Sequence, residues 1–182
     1  MIELVFLLEE RSAQVMLEGF LPKILSHSTH CRFIVFDGKQ DLEKQLIKRI
    51  RGYRVPNARF VVLRDKDSED CLEIKKRLKA KCVEAGRSDT LIRIACHELE
   101  SWYLGDLVAV ELGLKVSGIA RHQSGLYNNP DEIVSPFQKL KTMAPNYQKV
   151  GGSRLIGHHL DITNNRSKSF KTLVEGIQKL VA

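Results

Sequence analysis

The chain of 182 residues lacks several patterns that would assign it to a familiar class of protein. It contains no apolar run near the roughly 20 residues that a membrane-spanning helix requires. No basic segment precedes its first apolar run, so we expect no signal peptide. It also has no P-loop, no G-x-G-x-x-G, no G-x-S-x-G and no internal repeat. The common nucleotide-binding loops and the nucleophile elbow are therefore not predicted.

Cysteine pairs of the C-x-x-C type are also missing. The four cysteines fall inside segments with strand or helix patterns, at Cys31, Cys71, Cys82 and Cys96. We therefore expect reduced core thiols in a cytoplasmic protein that has no membrane partner.

Acidic residues are scarce in the last third of the chain. Residues 1–114 carry 19 lysines and arginines against 18 acidic residues, whereas residues 115–182 carry 10 against 4. Nearly all of the net charge of +7 therefore lies in the C-terminal third. A basic segment beside a nearly neutral body suits a polyanionic partner, above all DNA or RNA. A solvated basic surface without a partner explains the charge equally well.

Apolar, β-rich runs alternate with helical patterns in the first two thirds of the chain. The predicted strands are 2–8, 32–37, 58–65 and 90–96. The helices predicted between them are 12–25, with Ser12 as N-cap and an interruption at Pro22, then 40–51, and 69–85, which Gly86 ends. Such alternation favours an α/β fold with a doubly wound, mainly parallel sheet of about four strands.

The pattern becomes looser in the C-terminal part. We divide the chain into an α/β core, 1–112, and a basic extension, 113–182, that is mostly helical or irregular and packs on the core as one structural domain. Residues 147–161 are predicted to form a loop, whose glycines would let the backbone approach a phosphate. An apolar stripe predicts a last helix over about 167–181 that docks on the core.

Acidic residues follow several of the predicted strands, at Glu9-Glu10, Asp37, Asp65-x-Asp67 and Glu98-x-Glu100. Because the carboxyl ends of parallel strands meet at one edge of a sheet, we expect these acids to collect there. Residues i and i+2 of a strand point the same way, so Asp65 and Asp67 are predicted to share a ligand. Carboxylate oxygens suit Mg²⁺ or Mn²⁺, a combination that supports phosphodiester chemistry.

Helix capping is the alternative explanation for the acids that follow the third strand. Asp and Ser cap helices, and acids in a first turn complement the helix dipole. We assign Ser68, Glu69 and Asp70 to that role, whereas capping explains Asp65 poorly.

An acid after the first strand, a D-x-D after the third and an E-x-W after the fourth form an ordered set. The segments are LLEERSAQVML (7–17), VVLRDKDSED (61–70) and ACHELESWYLGD (95–106). Together they resemble the Toprim domain of OLD-family nucleases, of RloB-like proteins and of a related bacterial family of unknown function, the domain of unknown function 4276 type. The resemblance covers roughly residues 1–112 and implies a Rossmann-like Toprim fold.

The resemblance implies a role for each matching residue. Glu9 resembles the Toprim glutamate, which serves as general acid or base or as a metal ligand. Asp65 and Asp67 resemble the metal-binding D-x-D pair. Glu100 resembles the acid of the E-x-W segment, with Glu98 as the second candidate. The implied cofactor is Mg²⁺ or Mn²⁺.

The match departs from the family pattern after the first strand. Many relatives carry a glycine where this chain has Glu10, and a second acid where it has Ala13. We therefore expect one metal, or a second held by Glu98 or Glu10. OLD-type relatives also imply a basic residue that neutralises phosphoryl charge, for which Lys149 and Arg154 are the candidates.

Two functions are expected, and a third is weaker. The first is a divalent-metal-dependent nuclease that acts on DNA or RNA in phage defence. Its expected partners are a separately encoded ABC- or AAA-type ATPase and a second copy of the chain. The second is a catalytically inactive Toprim-fold module that binds a partner ATPase or nucleic acid. Aspartyl-phosphate chemistry ranks lowest, because its nucleophile would stand at the position of Glu9.

Overall fold

The four predicted strands form one parallel sheet in the order β2-β1-β3-β4. A computed structural model describes residues 2–182. Its strands are β1 (Ile2–Leu8), β2 (Thr29–Val35), β3 (Ala58–Asp65) and β4 (Leu91–Ala95). The central strands, β1 and β3, are apolar almost throughout because helices cover both faces of the sheet. The expected α/β class and parallel sheet are confirmed.

Helices cover the sheet on both sides, as a doubly wound arrangement requires. The helices are α1 (Arg11–Phe20), α2 (Gly38–Gly52), α3 (Cys71–Glu84), α4 (Glu100–Leu104), α5 (Leu107–Leu114), α6 (Pro136–Met143), α7 (Lys149–Gly157) and α8 (Lys168–Val181). On one face, α2 and α3 bury Leu42, Leu46, Ile50, Ile74, Leu78 and Cys82. The opposite face packs against α1 and the helices that follow β4, including α8.

The C-terminal part of the chain packs closely on the first two thirds. The ring of Phe170 in α8 lies 4.9 Å from that of Phe20 and 5.4 Å from that of Trp102, measured between centroids. Helix α7 crosses α1 so closely that a Cβ added at Gly157 would lie 2.5 Å from the carbonyl oxygen of Met16. The division after residue 112 remains a prediction, and it falls inside α5.

Two local predictions were wrong. Residues 147–161 contain helix α7 in place of a continuous loop. Its glycines serve close packing, since a Cβ at Gly152 would overlap the ring of Tyr147. The first helix ends at Phe20, where 12–25 was predicted, although the predicted interruption at Pro22 is confirmed by a short 3-10 turn. The N-cap of this helix is Glu10 in place of Ser12, whose hydroxyl donates a hydrogen bond to the Glu10 carboxylate.

The predicted cap and the predicted glycine end of the third helix are confirmed. Asp70 caps α3, where its carboxylate accepts hydrogen bonds from the backbone N–H groups of Leu72 and Glu73. Gly86 follows the end of α3 with φ of +82°. All four cysteines are free thiols, but only Cys82 is buried, so the expected core position holds for that residue alone. Within residues 2–182, no helix has the length and apolar character needed to cross a membrane.

Candidate functional site

The candidate site lies at the carboxyl ends of β1 and β3. These neighbouring strands are followed by helices on opposite faces of the sheet, since α1 packs on one face and α3 on the other. In open α/β sheets a ligand-binding crevice forms at such a switch point. Glu9 directly follows β1, and Asp65 is the last residue of β3. The backbone N–H of Asp65 donates a hydrogen bond of 3.1 Å to Oε2 of Glu9, which joins the two strand ends.

Asp65 is the most strongly perturbed carboxylate of this site. Its residue surface is only 8% exposed. Burial raises the pKa of the Asp65 carboxyl well above its usual value, and the negative charges of Glu10, Glu9 and Glu100 raise it further. Burial also raises the pKa of Glu9, despite the hydrogen bond from the backbone of Asp65. Both carboxylates therefore lack sufficient compensating positive charge.

Glu100 brings a buried carboxylate from the first turn of α4. It is fully buried, and burial raises its pKa although the ammonium of Lys149 acts in the opposite direction. The hydroxyl of Tyr147 donates a hydrogen bond of 2.9 Å to Oε1 of Glu100. The other oxygen, Oε2, has no hydrogen-bond partner among residues 2–182. A buried carboxylate oxygen without a donor is costly unless a ligand or an ion completes it.

Lys149 brings a positive charge to these acids from the first residue of α7. Its Nζ lies 2.9 Å from Oε1 and 3.0 Å from Oε2 of Glu10. Burial works against the charged form of this half-buried side chain, but Glu100 and Glu10 outweigh it and raise the pKa of Lys149. Lys149 therefore remains an ammonium ion at neutral pH.

Two of the predicted ligands hold other partners. Asp67 lies beyond the end of β3 with φ of +52°, so the strand rule for i and i+2 does not describe its direction. Its carboxylate forms an ion pair of 2.8 Å with Nζ of Lys39. Oε2 of Glu98 accepts a hydrogen bond of 2.9 Å from the backbone N–H of Phe137. Arg154 is exposed on α7.

Sequence reasoning missed a buried arginine beneath the site. Arg64 is 1% exposed and forms ion pairs with Glu43, at 2.5 Å, and with Glu69. Its Nε lies 3.9 Å from Oε2 of Glu9. The available signal was a charged residue within the apolar run of a central strand, since a buried arginine requires paired carboxylates. The charge of Arg64 lowers the pKa of Glu9, in opposition to the effect of burial.

Glu9, Asp65 and Glu100 form an acidic cluster whose oxygen atoms suit a hard divalent cation. Carboxylate oxygens are the ligands that Mg²⁺ and Mn²⁺ prefer. Glu9, Asp65 and Glu100 all have raised pKa values, and Glu100 presents an oxygen without a donor. Within residues 2–182, no group of three or more Asp, Glu, His or Cys side chains is placed so that it could hold a metal ion in this arrangement. Cation binding would therefore require carboxylates to turn toward the ion.

Fold and site together define an α/β protein with an acidic cluster at the switch point of a parallel sheet. The chain belongs to the family described as Domain of unknown function (DUF4276), whose model matches residues 8–178. Comparison with curated proteins gave no match, and neither did comparison with solved structures. The predicted membership of this family is confirmed.

Proposed function

We propose that this protein is a divalent-metal-dependent nuclease of the Toprim type that acts on the phosphodiesters of DNA or RNA. The observation that carries the proposal is the convergence of Glu9, Asp65 and Glu100 from three separate elements, with Oε2 of Glu100 lacking a donor. The resemblance of segments 7–17, 61–70 and 95–106 to Toprim sequences supports the same function. Excess buried negative charge at a switch point suits a cation and a phosphate together.

Each residue of the cluster has a proposed part in this chemistry. Glu9, Asp65 and Glu100 hold Mg²⁺ or Mn²⁺, and Asp67 and Glu98 join them if they leave their present partners. The bound ion would supply Lewis-acid polarisation of the phosphodiester and of the attacking water. Where Glu9 does not bind the ion, it serves instead as general acid or base, for which its raised pKa is favourable because proton transfer is most efficient near the working pH.

Positive charge for the phosphoryl group comes from the C-terminal part of the chain in this proposal. Lys149 already lies at the cluster, and Arg154 is exposed on the same helix. The net charge of +6 over residues 115–182, from 10 basic and 4 acidic residues, supports a polyanionic substrate. A separately encoded ABC- or AAA-type ATPase, and a role in phage defence, belong to the proposal through the Toprim resemblance alone.

Titration of Mn²⁺ into the purified protein by calorimetry tests the cation site. We expect saturable binding to the wild-type chain and its loss in Asp65→Asn, which removes the buried charge and keeps the shape of the side chain. Asp70→Asn is the matched control, because it removes one negative charge from the same segment at an exposed N-cap. Asn is an equally good N-cap, so this variant should fold and bind normally. Equal affinity in the wild type and Asp65→Asn would refute the site.

Cleavage of labelled DNA and RNA in the presence of Mn²⁺ tests the reaction itself. The proposal expects that Asp65→Asn abolishes cleavage and retains nucleic-acid affinity. Cleavage that persists in this variant at the wild-type rate would contradict the assignment of Asp65.

A second function is favoured by Ala13, which stands where many Toprim relatives carry an acid. Ala13 is 5% exposed and lies on the core-facing side of α1, so no carboxylate reaches the site from this position. A catalytically inactive module that binds a partner ATPase or nucleic acid would follow. Nucleic-acid binding that depends on salt but not on Mn²⁺ or on Asp65 would support this alternative.

A further inference from the structure

Lys149 occupies the position of a counter-ion in the acidic cluster. Its Nζ contacts both carboxylate oxygens of Glu10, at 2.9 and 3.0 Å, and is attracted by Glu100 and Asp65 as well. An ammonium group at this place satisfies the same negative charge that would hold a divalent cation. A divalent cation held by Glu9, Asp65 and Glu100 would therefore be repelled by the ammonium on the adjacent Glu10, and both positive ions draw on the negative charge of Glu100 and Asp65.

The backbone of Lys149 is fixed on a helix that cannot retreat easily. Helix α7 meets α1 through glycines, since a Cβ at Gly157 would lie 2.5 Å from the carbonyl oxygen of Met16, and one at Gly19 would lie 2.9 Å from the backbone nitrogen of His158. The side chain is only half-buried, with 36% of its surface exposed. The ammonium can thus swing outward on its flexible stem while the helix stays in place.

We propose that Lys149 is an intramolecular competitor for the divalent cation, and that a cation entering the cluster displaces its ammonium from Glu10 toward the phosphate backbone of the nucleic acid. This inference rests on the proposed function and adds an order to it. The cation binds first, and its arrival releases a positive charge for the substrate. Lys149 then determines both the affinity of the cation site and the dependence of substrate binding on the cation.

The first test compares Mn²⁺ affinity by calorimetry in the wild type, Lys149→Met, Lys149→Arg and Arg154→Met. Removal of the competing charge should tighten Mn²⁺ binding in Lys149→Met by about tenfold or more, because a positive charge beside a partly buried cation site repels the cation strongly. Lys149→Arg keeps the charge and should bind Mn²⁺ as the wild type does. Arg154→Met removes an exposed charge from the same helix and should leave the affinity unchanged.

Thermal unfolding gives a readout that does not require activity. Without Mn²⁺, Lys149→Met should have a lower Tm than the wild type, because Glu10 and its acidic neighbours lose their counter-charge. Saturating Mn²⁺ should then raise the Tm of Lys149→Met by more than it raises the Tm of the wild type. If Lys149→Met does not fold, Lys149→Gln carries the same comparison with a polar side chain.

The salt dependence of DNA affinity tests the second half of the proposal. In the wild type, Mn²⁺ should steepen the slope of log K against log [salt] by about 0.9, which corresponds to one additional phosphate contact. In Lys149→Met, Mn²⁺ should leave that slope unchanged. A change of equal size in both proteins would overturn the transfer of Lys149 to the phosphate.

The outcomes separate this inference from the proposed function. Wild-type binding of Mn²⁺ that is no tighter in Lys149→Met overturns the competition and leaves the cation site standing. Absence of Mn²⁺ binding in every variant, Lys149→Met included, overturns both. Binding that appears only in Lys149→Met supports the competition but overturns the displacement of the ammonium by the cation in the wild type.

Discussion

The close crossing of α1 and α7 gives a prediction that tests how the C-terminal part of the chain is held at the site. A Cβ at Gly157 would lie 2.5 Å from the carbonyl oxygen and 2.9 Å from the Cα of Met16. Both neighbours are backbone atoms, so no side-chain rotation can relieve the overlap. Gly157→Ala must therefore move one helix relative to the other.

The expected loss of stability is that of an overpacked core. One additional methyl group that forces a backbone shift costs about 1–3 kcal/mol. For a chain of this length, each 1 kcal/mol corresponds to about 2–4 °C in Tm. Loss of about 2 kcal/mol in Gly157→Ala should thus lower the Tm by about 4–8 °C.

Gly151 provides the matched control within the same helix. It is exposed, and a Cβ there would meet no atom within 4 Å. Alanine in a helix interior is more stable than glycine by about 0.5–1 kcal/mol, so Gly151→Ala should raise the Tm by a few degrees. Differential scanning calorimetry of the two variants beside the wild type makes the measurement. Equal Tm values for Gly157→Ala and Gly151→Ala would refute the close crossing and, with it, the placement of Lys149 against Glu10.

Three further predictions concern the site and its support. Burial, followed by the charges of acidic neighbours, raises the pKa of Asp65 above its ordinary value of 3.8. The folded protein therefore binds the carboxyl proton of Asp65 more tightly than the unfolded chain does, and the free energy of unfolding falls as the pH rises above 3.8. Asp65→Asn should raise the Tm at neutral pH and flatten the decline between acid and neutral pH. Tyr147→Phe removes the donor to the buried carboxylate of Glu100 and should cost about 1–3 kcal/mol in urea unfolding. Ser167→Ala removes the side-chain cap of α8 and should cost about 1 kcal/mol.

Each of these predictions has a control and a contradicting result. Asp70→Asn should leave the pH profile of the Tm unchanged, and a profile in Asp65→Asn that still declines as in the wild type would contradict the sign derived above. Tyr103→Phe removes a buried hydroxyl that has no partner among residues 2–182 and should be neutral or stabilising. A loss in Tyr103→Phe as large as that in Tyr147→Phe would contradict the assigned hydrogen bond. Ser167→Thr should preserve the cap of α8 if the loss in Ser167→Ala comes from the hydroxyl, which accepts from the backbone N–H of Phe170 and donates to Asp131.

The parallel sheet, and the acidic residues at the carboxyl ends of its strands, could be predicted because local patterns in the sequence encode both. Strands buried on both faces produce continuous apolar runs, and acids that follow such runs must emerge at the same edge. This reasoning identified Glu9, Asp65 and Glu100 without any knowledge of the packing. The prediction for Asp67 used the same strand geometry, but the strand ends two residues earlier and the chain enters a left-handed conformation.

Helix α7 and its contacts could not be predicted because tertiary packing decides them. Gly151 and Gly152 lower the intrinsic helix propensity of the segment, which favours a loop when the segment is considered alone. In the folded chain Gly152 makes room for the ring of Tyr147, and Gly157 allows close contact with α1. The partners of Glu10 and Glu100 in this segment lie far along the chain, so no local pattern indicates them.

The ion pair between Lys149 and Glu10 joins residues that are 139 positions apart. During synthesis, the carboxylates of β1, β3 and α4 leave the ribosome long before the lysine that offsets their charge. A nascent chain that ends before α7 lacks Lys149, so the carboxylates of β1, β3 and α4 must stay exposed to water, take up protons or associate with ions from solution. We therefore expect formation of the complete site to be a late event in folding, since contacts of such separation require a large loop to close.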